Sequence, residues 1–164
     1  MLMHRIKYFL ELLKFRLSAT VVFSALAGYL LASHEVSFLE LFFLATGGFL
    51  VTGSANGFNQ ILEINYDKLM VRTCERPLPK NNLNINEAFI FSLLIGVVGL
   101  CVLHQLNKYC TYYGLVSICL YVLCYTPLKR VSPVSIFVGA IPGAIPFLLG
   151  WVAAFDFDLV GSAE

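Results

Sequence analysis

The sequence predicts an all-α, multi-pass transmembrane helical bundle of about five spans. Three observations predict it. The 164 residues are 59% hydrophobic and only 13% charged, against about 45–50% and about 25% in soluble domains. The mean hydropathy is +0.79. The apolar residues gather in five runs of roughly 17–22 residues, each long enough at about 1.5 Å per residue to cross a hydrocarbon core of about 30 Å. Helices are required because lipid cannot satisfy an open sheet edge.

The first run, Leu17–Ser33, follows four bases: Arg5, Lys7, Lys14 and Arg16. It is too long for a signal h-region and four more runs follow, so it reads as a span that is kept. A polar turn, His34–Ser37, leads to the second run, Phe38–Phe58. This one passes directly into the only long polar connection, Asn59–Lys80. The third run is Ala88–Leu106 and the fourth Tyr109–Leu128. Val131–Pro133 turns the chain into the fifth, Val134–Phe155. Pro142 and Pro146 should kink that helix, and Gly139, Gly143 and Gly150 should let neighbours approach closely. Tyr8, Tyr109, Tyr112 and Tyr113 sit near run ends as interfacial belt residues. All 164 residues form one membrane domain.

The charges fix an orientation. Ten of the eleven bases fall at one end of the bundle and only Lys108 at the other. The positive-inside rule makes the basic end cytoplasmic, in a cell inner membrane, with the amino terminus and the Asn59–Lys80 connection on that side. The chain then ends outside, after Asp156 and Asp158. A net charge of +1 gives no electrostatic footprint for nucleic acid. The five cysteines include no C-x-x-C pair and act as small apolar residues, without disulfide or metal. His4, His34 and His104 invite a heme-ligand role. His34 and His104 fall at the outer end, so all three are read as interfacial polar residues.

The polar connection carries the chemistry. Asn59, Glu63 and Asp67 are spaced i, i+4, i+8, which puts them on one helix face at about 100° per residue, with Asn56 on the same side. Like charges at that spacing repel, so something cationic should offset them. Two carboxylates and an amide suit Mg²⁺, which is usually held by one or two carboxylates plus substrate phosphates. Arg72 and Arg76 follow, again at i, i+4, with guanidinium forks that match phosphate oxygens. Acids for a metal and arginines for phosphate at the edge of an apolar bundle imply a lipid-tailed diphosphate. Bases at helix ends also snorkel to headgroups, which suits Lys68 and Lys80 but not the Asn56–Asp67 stripe. Pro77 and Pro79 stop the helix and turn the chain back.

The stretch Asn59-x-x-x-Glu63-x-x-x-Asp67-x-x-Met70-x-Arg72-Thr73-x-x-Arg76-Pro77-Leu78-Pro79 resembles the first aspartate-rich motif of the UbiA superfamily of intramembrane prenyltransferases. Quinone-pathway members typically read N-D-x-x-D, whereas here Asn59-Gln60 is followed by Glu63. "GSANGFNQILE", "KFRLSATVVFSALAGYLL" and "YTPLKRVSPVSIFVGAIPGAIPFLLGW" are similar to the branch that farnesylates protoheme IX. Phe15 stands where many of those relatives have proline. The resemblance implies transfer of a farnesyl group from farnesyl diphosphate to a vinyl group of protoheme IX (heme B), giving heme O. It implies Mg²⁺ on Asn59, Glu63 and Asp67, and a diphosphate held by Arg72, Arg76, Lys129 and Asn56. Glu63, Asp67, Lys129 and Tyr125 would act in catalysis, the last two as a Y-x-x-x-K pair. Phe58, Tyr66 and Tyr125 offer π faces to a carbocation, although core packing is the better account of any one of them. Lys129 and Arg130 also fit simple positive-inside anchoring. Family members have about nine spans, so the resemblance implies an amino-terminal portion that lacks the second acidic motif and needs the missing carboxy-terminal half for a complete site. Two alternatives stand beside this: prenyl transfer to an aromatic quinone precursor, and a non-catalytic membrane half-module.

Overall fold

The computed structural model describes the backbone of residues 2–155 and the side chains of 5–155; His4, Asp156 and Asp158 lie outside the described side chains. All regular secondary structure among the described residues is helical. Five helices are long and apolar enough to cross a membrane: Phe15–Ala32, Phe38–Leu62, Ile85–His104, Lys108–Leu128 and Ser135–Ala153. Their bounds agree with the five apolar runs to within about one turn.

In chain order, α1 is Leu2–Leu12, α2 Phe15–Ala32, α3 Phe38–Leu62 and α4 the single turn Ile64–Asp67. Then come α5 (Ile85–His104), α6 (Lys108–Cys119), a π-helical segment (Leu120–Tyr125), α7 (Thr126–Leu128) and α8 (Ser135–Ala153). Polar side chains set the starts. Ser37 accepts from the Glu40 amide to cap α3, Asn107 accepts from the Cys110 amide to cap α6, and Asn84 with Glu87 forms a capping box on α5. Each satisfies amides that a helix start leaves orphaned.

The spanning helices close into a ring. α3 packs between α5 and α2, α2 packs on α8, α8 on α6, and α6 on α5. Side chains that face outward are large and apolar: Phe23, Phe38 and Phe137 are all more than 70% exposed, as expected of a surface solvated by lipid. Without water there is no hydrophobic drive between helices in lipid, so close packing must hold the ring. The α2–α8 crossing shows this most sharply. A Cβ on Gly150 would lie 1.8 Å from the Ala25 carbonyl oxygen, and one on Gly28 would lie 2.2 Å from the Phe147 oxygen. Gly139 likewise admits the Tyr125 ring. Gly143 departs from expectation: nothing lies within 4 Å of its would-be Cβ, because it faces a cavity inside the ring.

Two apolar clusters fix the ends. At the end away from the bases, Ala25, Tyr29, Leu44, Leu103, Cys110, Leu149 and Val152 pack together. Tyr29 is fully buried there and donates to Glu40 at 2.6 Å. At the basic end, Leu12 of α1 packs with Leu78, Leu83 and Ala88. This cluster pins the long connection beneath the bundle, with Pro77, Leu78 and Pro79 all buried.

Three features differ from the apolar pattern. The acidic stripe is not one continuous helix: α3 ends at Leu62, Glu63 is its cap at φ −98°, ψ 3°, and Asp67 closes the separate turn α4. The fourth span contains a π-helical segment in which the Thr126 amide bonds the Tyr121 carbonyl five residues back. Pro127 follows at once; it lacks an amide and its ring crowds the preceding turn, so a widened turn relieves the conflict. Finally, α1 is a helix of its own, joined to α2 through Lys14 in the left-handed conformation, φ 46° and ψ 60°.

Candidate active site

The candidate side chains converge where the connection meets the basic ends of α3 and α7. Glu63 is mostly buried, and two cations reach its Oε1: Lys129 Nζ at 2.8 Å and Arg130 Nη2 at 3.5 Å. Asp67 is buried, and Arg76 Nη1 donates to its Oδ2 at 2.7 Å. The break at Glu63 turns the two carboxylates toward different cations. That resolves the repulsion which a continuous helix would impose. Burial pushes the Glu63 carboxyl up, but the hydrogen bond and charge of Lys129, then Arg130, push it further down, so the net shift is below the ordinary 4.5. It is a carboxylate at neutral pH.

The loop that delivers Arg76 is built from its own backbone. Thr73 is buried and its hydroxyl donates to the Asp67 carbonyl at 3.1 Å, so the chain folds back over α4. Arg76 is thereby brought to Asp67. Arg72 is not: it is exposed, and it forms no ion pair among the described residues. The i, i+4 spacing of the two arginines has no helix to act on, because the chain runs in turns there.

Asn59 is fully buried. Its amide nitrogen donates to Thr126 Oγ1 at 3.0 Å, and its oxygen faces Lys14 Nζ at 3.5 Å. Asn56 has a different task. Its amide nitrogen donates to the Leu13 carbonyl and to Ser18 Oγ, at the joint between α1 and α2. Gln60 donates to the Leu12 carbonyl at 3.0 Å in the same joint. The donor that would serve a diphosphate on Asn56 is therefore engaged, which leaves an acceptor oxygen.

Beside this cluster opens a cavity of about 580 Å³, within the range of sites that enclose a small ligand. α2, α3, the π segment and α8 line it, through Leu17, Val51, Ala55, Tyr121, Pro142 and Pro146 among others. Tyr125 joins cavity to cluster. Its ring lines the cavity, stacks on Tyr121 at 5.4 Å, and lies 5.4 Å from Lys129 Nζ. Of the three aromatics singled out from sequence, only Tyr125 borders the cavity. Phe58 packs edge-on against Phe89, and Tyr66 is half exposed beneath the Arg130 guanidinium, 3.9 Å from its ring centre. His34 and His104 are exposed at the far end.

Sequence reasoning missed three participants. Arg130 is more than an anchor: it holds Glu63, donates to the Leu62 carbonyl at 3.0 Å and stacks on Tyr66. Tyr121 shares the cavity wall with Tyr125. Lys14, counted among bases that flank a span, turns inward to Asn59. No spacing rule could reveal the last, because it depends on one backbone dihedral.

Among the described residues no three His, Cys, Asp or Glu side chains stand together as a metal cage. Two carboxylates and an amide oxygen remain, all hard oxygen donors. That set fits Mg²⁺, which completes its shell with water and substrate phosphate.

Comparisons with known proteins bear on this arrangement. The protoheme IX farnesyltransferase of Christiangramia forsetii is 49% identical over 146 residues, covering 89% of this chain and 49% of that protein. That of Flavobacterium psychrophilum is 46% identical over 155 residues, covering 92% and 52%. The chain thus spans about half the length of these curated relatives. A solved structure from work on digeranylgeranylglyceryl phosphate synthase in membranes superposes with a TM-score of 0.83 at 27% identity, covering 96% of this chain and 56% of that one. The profile of the UbiA prenyltransferase family matches residues 21–160. A helical ring with a charged mouth, relatives of this kind and a profile match over most of its length place the chain in the UbiA prenyltransferase family.

Proposed function

We propose that this chain contributes to transfer of a farnesyl group from farnesyl diphosphate to a vinyl carbon of protoheme IX, with addition of water, giving heme O and pyrophosphate. One observation carries the proposal: the apolar cavity opens beside paired carboxylates and cations, with Tyr125 common to both. An isoprenoid tail suits the cavity and a diphosphate suits the cations. The acceptor is taken from what the similar proteins are named for.

The site supports heterolysis of an allylic C–O bond. Lys129, Arg130 and Arg76 release their carboxylates and turn to diphosphate oxygens, where their charge grows in value as the C–O bond stretches. Glu63 and Asp67, with the Asn59 oxygen, are then free to hold Mg²⁺, which when bound neutralises the departing diphosphate. Tyr125 and Tyr121 offer stacked π faces to the allylic cation inside the cavity, and the apolar walls keep water from quenching it early. The reading places the basic end in the cytoplasm, since ten of the eleven bases lie there. It also assigns a further set of acidic ligands to a protein of its relatives' length.

The test is heme O formation, read by mass, by the gene product that carries this chain, given heme B, farnesyl diphosphate and Mg²⁺. Heme O that disappears with a chelator supports the reading. A prenylated 4-hydroxybenzoate formed in place of heme O overturns the acceptor, and no product with either acceptor overturns the activity.

A further inference from the structure

We propose that Lys14 is a diphosphate-binding residue of this site, aimed into it by the left-handed joint between α1 and α2. The proposal rests on the diphosphate reading above and adds a cation to it. Three observations carry it.

The first is the backbone. Lys14 and Asn81 are the only non-glycine residues with positive φ among those described. Asparagine visits that region readily; lysine does not. Such strain persists only where the surroundings impose it, and it concentrates at functional sites. Here the surroundings are specific. Gln60 and Asn56 of α3 take the carbonyls of Leu12 and Leu13, and Ser18 Oγ takes the Leu13 carbonyl as well, at 2.6 Å. The same face of α3 carries Asn59, so the helix that forms the site also sets the joint.

The second is the company of the side chain. Lys14 Nζ approaches Asn59 Oδ1 at 3.5 Å, and the charges that act on it are those of Arg76, Glu63, Lys129 and Asp67. It lies among the site residues rather than out at the headgroups.

The third is the absence of an ion pair. Arg76, Lys129 and Arg130 are each paired with a carboxylate, whereas Lys14 forms no ion pair among the described residues. A part-buried ammonium held out of any ion pair is unfavourable. A phosphate oxygen would supply the missing charge directly, without first displacing a carboxylate.

The experiment measures calorimetric binding of inorganic pyrophosphate with Mg²⁺ to the detergent-solubilised protein. Lys14→Gly keeps the left-handed backbone and removes the charge; Lys14→Arg keeps the charge. Lys14→Gly should weaken binding about tenfold or more, as expected for loss of one charge-assisted hydrogen bond, with helical circular dichroism unchanged, and Lys14→Arg should stay within about threefold of wild type. Wild-type binding that survives Lys14→Gly overturns the role of Lys14 alone, as does Lys14→Arg binding as weakly as Lys14→Gly. Wild-type protein that binds no pyrophosphate overturns the diphosphate reading and this proposal with it. A Lys14→Gly effect seen in phosphatidylglycerol nanodiscs but not in lipid-free micelles reassigns Lys14 to a lipid headgroup.

Discussion

Glu63 stands between two cations, and its protonation is linked to the fold. A carboxyl depressed in the folded state adds stability above its unfolded value and loses it as pH falls through the folded one. The thermal midpoint of the wild type should therefore drop on acidification below the ordinary value of 4.5. Glu63→Gln should remove part of that slope and, on the proposed function, abolish heme O formation by the gene product that carries this chain; an unchanged acid slope in a thermal melt counts against the linkage. Arg130 is partly exposed, so solvent screens its pairing. Arg130→Ala should destabilise by about 1 kcal/mol in a denaturant melt and loosen Glu63. At this scale the sequence named Glu63, Asp67, Arg76 and Lys129, which gather at one end of the bundle, but through the break at Glu63 and the turns after Asp67 rather than on the single helix face their offsets implied. Arg130, Lys14 and Asn56 were opaque, because a base or an amide near a span end looks the same whether it faces lipid, a ligand or a neighbouring carbonyl.

Among the elements, the apolar runs located the spans because a membrane demands length and greasiness over a whole segment. Their interruptions were harder to see. The break at Glu63, the π segment before Pro127 and the separate α1 are local departures that change no average hydropathy. Proline marks the π segment only in hindsight, since the same residue also kinks helices without widening them. The α2–α8 crossing gives a sharp contrast between two glycines of one helix. Gly150→Ala sets a methyl group against the Ala25 carbonyl and should destabilise by about 1–3 kcal/mol or more, measured as thermal inactivation in detergent. Gly143→Ala, which meets nothing within 4 Å, should leave the melt unchanged while intruding on the cavity.

For the whole molecule, both acids at the mouth are paired with cations before any ligand arrives. Magnesium alone must break the pairs of Glu63 and Asp67 and leave cations facing a dication. Pyrophosphate alone must do the reverse. Each should therefore bind weakly by itself and about tenfold or more tightly in the presence of the other, with the same factor in both directions, as linkage requires. Titration calorimetry in both orders checks this, and independent binding contradicts the paired resting state of the two acids. This property was invisible in a list of residues, because it depends on which cation closes on which acid.

The plug of Tyr29, Leu44, Leu103 and Leu149 has a bearing on the host cell's energetics. A chamber that admits a polyanion at one side of a bilayer invites a proton or sodium leak if water threads through to the other side. An apolar seal opposite the charged mouth interrupts any such file of water. On the proposed function, the bundle would handle an ionic reagent within the membrane while the electrochemical gradient across it stays intact.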